Sequence, residues 1–324
     1  MKNVELRITF EGKVHLYEEE PLVDRFPDIG RRTLPERAGH AEIEFITPRG
    51  ALTIEYTQLE ELLESGAVQY MSKHPITQPA DYRVAEYILE QMEVVADFDR
   101  VTQLAAEFGD IGYAVPQIPR IPFQQVLIDF FSTEQLFFAL HDSPTAVERL
   151  IDLLDARMTE VVEIVADLPA TYIEIGDNLD GMMTNPRLFR KYCLPHYQKY
   201  TELLHARGIK VGSHTDGNLQ PLLGLLAESG LDVCESFSPP PLTPCTVEEA
   251  LAAWPNGPII WGAIPSPILE PDFPEDEFIA HIDRLLETVS KRPIILCITD
   301  MVLPINDIER VRAIAERVEG YASS

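Results

Sequence analysis

The stretch IKVGSHTDGN, residues 209–218, decides how this chain folds on paper. An apolar, β-prone approach breaks abruptly into His214, Thr215, Asp216 and Gly217. A core strand has no packing reason to end in an imidazole and a carboxylate two residues apart. In extended backbone, residues i and i+2 project to the same side. His214 and Asp216 are therefore expected to face one common point.

Outward from that strand the same texture repeats. TYIEIGDN (171–178), LDVCESF (231–237), PIIWGAI (258–264) and PIILCITD (293–300) are further apolar runs, several ending in polar or charged residues. Helical patterns separate them. One opens at Asn185-Pro186 and stops by Gly208, with Pro195 expected to kink or divide it. LQPLLGLLAES (219–229) is closed by Gly230, and Thr246-Val247-Glu248-Glu249 is a capping box that opens the next helix. DEFIAHIDRLLETVS (276–290) and, after Asn306-Asp307, IERVRAIAERVEG (308–320) complete the series. Apolar strands alternating with helices predict a parallel sheet covered by helices. No GxGxxG or GxxxxGK[ST] follows any strand, which argues against a nucleotide-binding doubly wound sheet. The expected fold is α/β, a (β/α)8 TIM-like barrel whose site lies at the carboxyl ends of its strands.

Residues 1–60 read instead as strands, with Pro48-Arg49-Gly50 as the turn of a hairpin between AEIEFIT and ALTIEYT. DYRVAEYILEQMEVV (81–95) and the segment 143–168 are amphipathic at helical spacing. The expected organisation is one domain over 1–324: an amino-terminal β-hairpin extension at 1–60 and a barrel at 80–324.

The 324 residues carry 53 Asp plus Glu against 26 Lys plus Arg, a formal net charge of −27. Such a surface repels a phosphate backbone, so nucleic acid is not an expected partner. No run of about 18 apolar residues exists to span a membrane. The beginning, MKNVELRITFEGK, lacks the apolar centre of a signal peptide, so a cytoplasmic location is expected. The cysteines at 193, 234, 245 and 297 form no CxxC, and are expected as buried thiols or ligands.

The predicted strand ends gather Asp177 and Asn178, His214 and Asp216, Cys234 and Glu235, Trp261 and Gly262, and Cys297 and Asp300. His, Cys, Asp and Glu from separate strands are ligands that zinc accepts. His214, Asp216 and Cys297 would suffice, with Glu174, Glu235 and Asp300 in reserve. The plainer alternative is that His214 and Asp216 bond each other and that Cys297 is a small buried hydrophobe. A serine hydrolase is disfavoured because no GxSxG occurs.

The stretch 175–218 also resembles a known family: a strand into Gly-Asp-Asn, Pro186-x-x-Phe189, Leu194-Pro195-x-Tyr197, and a strand ending in His214-x-x-Gly217. Together with the Thr47-Pro48-Arg49-Gly50 turn, Trp261-Gly262 and the Pro304…Glu309-Arg310-Val311 element, it is similar to the uroporphyrinogen decarboxylase superfamily. That superfamily includes zinc-dependent corrinoid methyltransferases. The arginine-rich RQAGRY segment of the decarboxylases, which binds their polycarboxylate substrate, has no match; Gly30-Arg31-Arg32 and Arg37 are the nearest basic cluster. The methyltransferase branch is closer. Its zinc ligands, a His-x-Cys pair and a last-strand cysteine, map to His214, to Asp216 in place of cysteine, and to the neighbourhood of Asp300 and Cys297.

The resemblance implies methyl transfer between a small methylated substrate, a methyl ether among the candidates, and a partner corrinoid protein, with zinc as Lewis acid. The implied metal ligands are His214, Asp216, Cys297 and Asp300, with Asp177, Asn178 and His214 in catalytic roles. Trp261, Glu235 and Tyr172 are expected to line the substrate cleft. Porphyrinogen decarboxylation and a non-catalytic binding paralogue are the alternatives. Dimers occur in the superfamily, so a homodimer is compatible.

Overall fold

The computed structural model describes residues 7–8, 15–19, 22–25, 29–37, 40–57, 70–109, 112–289, 292–299 and 301–322. The predicted ligand Asp300 lies outside the described residues. Strands run in the order β1 (Arg7–Ile8), β2 (His15–Glu19), β3 (Leu22–Arg25), β4 (Gly30–Arg37), β5 (His40–Thr47), β6 (Gly50–Thr57), β7 (Tyr70–Lys73) and β8 (Glu93–Ala96). They continue as β9 (Gly112–Ile118), β10 (Tyr172–Ile175), β11 (Lys210–His214), β12 (Val233–Phe237), β13 (Ile259–Pro265) and β14 (Ile294–Thr299). The chain divides into two compact units, one of residues 1–21, 98–118 and 168–324, the other of 22–97 and 119–167. No helix among the described residues is long and apolar enough to cross a membrane.

The second unit holds the antiparallel sheet β4-β5-β6-β7, a separate β3–β8 pair and the long helix Pro144–Val165. Thr47 pairs with Gly50, leaving Pro48-Arg49 as the predicted turn; the Thr47 hydroxyl accepts from the Arg49 amide at 3.0 Å. The helix expected over 81–95 ends at Gln91, and Glu93–Ala96 is strand β8. Met92 is extended and Val94-Val95 are β-branched, so a sheet partner outweighs continued helix.

The first unit is built on an eight-stranded sheet in the order β1-β2-β9-β10-β11-β12-β13-β14. Every neighbouring pair is parallel except β1–β2, and β1 also lies against β14, so the sheet curls back on itself. Strand β9 has no counterpart in the sequence reading, because Pro116 interrupts an otherwise strand-like run. The helix after β10 is divided as expected: Pro186–Leu188, one π turn over Phe189–Cys193, then Leu194–His205. Pro195 falls in the first turn of the last piece, where its missing N–H costs nothing.

Strand alternation sorts the side chains of this sheet onto two faces. Ile173, Ile175, Val211 and Cys234 are fully buried on one. The other carries an apolar cluster of Val115, Val233, Trp261 and Cys297, against which Tyr113, Tyr172, Ile259 and Ile295 pack. Each fully buried large apolar side chain contributes roughly 1.5–3 kcal/mol relative to exposure. That cluster is a firm floor for whatever stands one step further along each strand.

Candidate functional site

One residue pair beyond the apolar cluster, the chemistry changes on every central strand. Val115 gives way to Gln117, Tyr172 to Glu174, Gly212 to His214 and Val233 to Glu235. Parallel register places Glu174 beside Gln117 and His214 beside Glu235. The ligand atoms of Glu174, His214 and Glu235 all lie within 4.8 Å of one another. Glu174 and Glu235 are 0% and 1% exposed.

His214 Nδ1 lies 2.5 Å from Glu235 Oε2, and its Nε2 lies 3.7 Å from Asp216 Oδ1. Burial alone would depress the imidazole pKa. The Glu235 charge and the interactions with Asp216 outweigh it and hold the pKa well above the usual histidine value. Burial likewise pushes Asp216 up, but His214 and Asn178 prevail and keep it below the usual carboxylate range. The Asn178 amide donates to Asp216 Oδ2 at 3.3 Å.

Glu235 is aimed by local backbone. The register between β12 and β13 shifts between Cys234 and Phe237, and Ser236 takes a positive φ of 56°. Such bulges re-aim a side chain at the end of a ladder. Opposite the bulge, Gly262 has φ 138°, and a Cβ there would come within 2.7 Å of the Phe237 amide nitrogen. The Thr215 amide and hydroxyl both donate to the Glu235 carbonyl, at 2.8 and 2.7 Å, and pin that peptide.

Two buried carboxylates this close repel each other unless positive charge is shared between them. A protonated His214, whose pKa Glu235 and Asp216 hold above the usual value, would supply one such charge beside Glu235. Two carboxylates and an imidazole on three adjacent strands are also a donor set that zinc and other divalent cations accept. The residues present fit a metal ion.

The predicted residues separate into those brought together and those kept apart. His214, Asp216, Asn178 and Glu235 converge. Glu174, held in reserve by the sequence reading, joins them as the third member of the tight group. Cys297 belongs to the apolar cluster, with its Sγ 3.2 Å from the Ile298 carbonyl oxygen, and is not part of that group. Trp261 and Tyr172 pack in the same cluster with ring centroids 6.0 Å apart.

Asp177 is 1% exposed and bonds elsewhere: it accepts from the Tyr197 hydroxyl at 2.6 Å and from Ser213 Oγ at 3.0 Å. Ser213 alternates with Gly212 and His214, so this carboxylate sits on the helix side of the sheet. Burial and the Asp177 charge raise the Tyr197 pKa well above normal.

Gln117 and Asp180 have no place in the expected site, and Tyr197 only one in the Leu194-Pro195-x-Tyr197 motif. Asp180 braces two loops, accepting from the amides of Met182, Met183 and Asn218 at 2.7–3.0 Å. Gly181 donates to the Asn218 carbonyl at 2.9 Å and completes the brace. The Asp-Gly pairs at 180–181 and 216–217 were the available signal.

Residues 131–321 match the family model described as uroporphyrinogen decarboxylase (URO-D). No curated protein matches the chain. Among solved structures, a methyltransferase from Methanosarcina mazei is similar in fold, with a TM-score of 0.59 and 17% sequence identity, covering 79% of this chain and 73% of that one. With more than half of its length matched to that model, and a curled parallel sheet to carry it, the chain belongs to the uroporphyrinogen decarboxylase family.

Proposed function

We propose that this protein is a methyltransferase on a TIM-type (β/α)8 barrel. It moves a methyl group between a small methylated substrate, such as a methyl ether, and a separate corrinoid protein, with zinc bound at the mouth. Family membership and a structural neighbour described as a methyltransferase support the reading. The observation that carries it is the convergence of the buried Glu174 and Glu235 on the half-buried His214.

Those three residues would hold the metal. Asp216, 3.7 Å from His214 Nε2, stands next to them. Zinc held there would supply Lewis acidity for departure of an oxygen leaving group. Glu235 fixes the His214 ring through Nδ1, which leaves Nε2 as its remaining ligand atom. In the metal-free protein His214 and Asn178 hold the Asp216 carboxyl below its usual range against the opposing effect of burial. Asn178 donates to that carboxylate, and the Trp261 and Tyr172 rings pack in the apolar cluster beneath the group. Porphyrinogen decarboxylation suits this lining poorly, because a polycarboxylate substrate needs cationic partners and these residues are anionic.

Elemental analysis of the purified protein tests the metal directly. About one zinc per chain is expected in the wild type, and less than a tenth of that in His214→Ala or Glu174→Gln. Formation of methylcobalamin from cob(I)alamin and an aryl methyl ether, followed by visible absorbance, tests the transfer. Absence of metal from the wild type after loading would sink the mechanism and favour a binding paralogue.

A further inference from the structure

We propose that Tyr172 and Gln117 are positioning residues for Glu174, seated in gaps that Gly212 and Gly176 leave open; this rests on reading Glu174, His214 and Glu235 as a metal centre. A neutral donor lies near each oxygen of the Glu174 carboxylate. Gln117 Nε2 lies 3.4 Å from Oε1, and the Tyr172 hydroxyl lies 3.4 Å from Oε2. Gln117 reaches across from β9, whereas Tyr172 comes from Glu174's own strand and leans over β11.

That lean requires Gly212, the register partner of Glu174. A Cβ at 212 would overlap the Tyr172 hydroxyl and come within 2.7 Å of the ring carbon that bears it. A Cβ at Gly176 would press on Gln117, 3.1 Å from Cδ and 3.3 Å from Cγ. Neither glycine has a positive φ, so backbone freedom does not explain either one. The missing side chain is what both positions supply, and in both cases the space is filled by a donor to the same carboxylate.

Neutral donors suit a metal-binding carboxylate. They restrict its rotation without cancelling the charge that a cation needs. The Tyr172 ring is itself steadied by Trp261, at 6.0 Å between centroids. Contacts of 3.4 Å are long for hydrogen bonds to a carboxylate and are expected to shorten when the site is loaded.

Cobalt(II) titration of the full chain, read by its visible absorption bands, tests the proposal. Tyr172→Phe and Gln117→Leu should each weaken binding by roughly ten- to a hundredfold and shift the bands, as loss of an outer-shell partner does. Gly212→Ala should do the same by displacing the hydroxyl, and Tyr172→Phe keeps the test valid if that variant fails to fold. Added to Glu174→Gln, Tyr172→Phe should have little further effect, because its influence runs through that carboxylate. Wild-type affinity and spectrum in Tyr172→Phe and Gln117→Leu would overturn the positioning role and leave the metal centre standing. No cobalt binding by the wild type would overturn the metal centre, and the proposal with it.

Discussion

Replacing Tyr197 by phenylalanine should destabilise the protein by about 1.5–3 kcal/mol without touching metal binding. The hydroxyl donates to Asp177 Oδ2 at 2.6 Å, and Ser213 Oγ reaches the same oxygen at 3.0 Å. Tyr197 is fully buried, and its ring stacks on Phe189 with centroids 5.7 Å apart. Tyr197→Phe keeps that ring, so no large cavity opens. What is lost is a hydrogen bond to a buried carboxylate, a contribution of about 1.5–3 kcal/mol. Urea unfolding at neutral pH, with the midpoint read at unchanged slope, measures it. Asp177→Asn should show a loss of similar size. Cobalt affinity should stay within a factor of two or so of the wild type, since this carboxylate is on the opposite face from His214. The reasoning fails if Tyr197→Phe unfolds within about 0.5 kcal/mol of the wild type while metal binding collapses, because Asp177 would then belong to the site rather than to the seam behind it.

Other consequences concern the same region. In metal-free protein the His214 imidazole should titrate above 6.5, and Glu235→Gln should bring it down, as seen in a histidine NMR titration. Because the folded value is raised, its contribution to the stability of the metal-free protein is full below 6.5 and fades as pH rises through the folded value. Asp232 accepts from Lys210 Nζ at 2.8 Å, the Val211 amide at 2.9 Å and His205 Nε2 at 2.6 Å. Burial opposes ionisation there, but these contacts prevail and lower the carboxyl's pKa below 3.8. Asp232→Asn should cost about 1 kcal/mol at neutral pH after solvent screening, and the deficit should shrink as acid protonates the wild-type group. Thr246 accepts from the Glu249 amide, and Glu249 returns a bond to the Thr246 amide at 2.9 Å. Thr246→Ala should therefore cost about 1 kcal/mol in thermal or urea unfolding.

Much of the fold was legible in the chain. The strands around Ile173, Val211, Cys234, Ile260 and Leu296 announce themselves by apolar runs between helices with recognisable caps. The Thr47–Gly50 hairpin turn and the break before Pro195 follow from the one dihedral that proline fixes and the N–H it lacks. These are local effects, and local sequence determines them. Strand β8 was hidden because Val94-Val95 continue a helical pattern and become a strand only through pairing with β3.

The site divides along the same line. Two-residue alternation predicted that His214 and Asp216 face one point, and they stand 3.7 Å apart although the strand itself ends at His214. It could not tell that Glu174 and Glu235, rather than Cys297, stand next to His214, because that depends on which residues stand abreast in a parallel sheet. Register between strands about twenty or more residues apart set Glu235 beside His214 and put Cys297 into the apolar layer with Trp261. A bulge lies at Ser236, and Tyr172 and Gln117 fill the space that Gly212 and Gly176 leave. Chemical type is written residue by residue, whereas adjacency across strands comes from the packing that closes the sheet, and only the tertiary structure decides it.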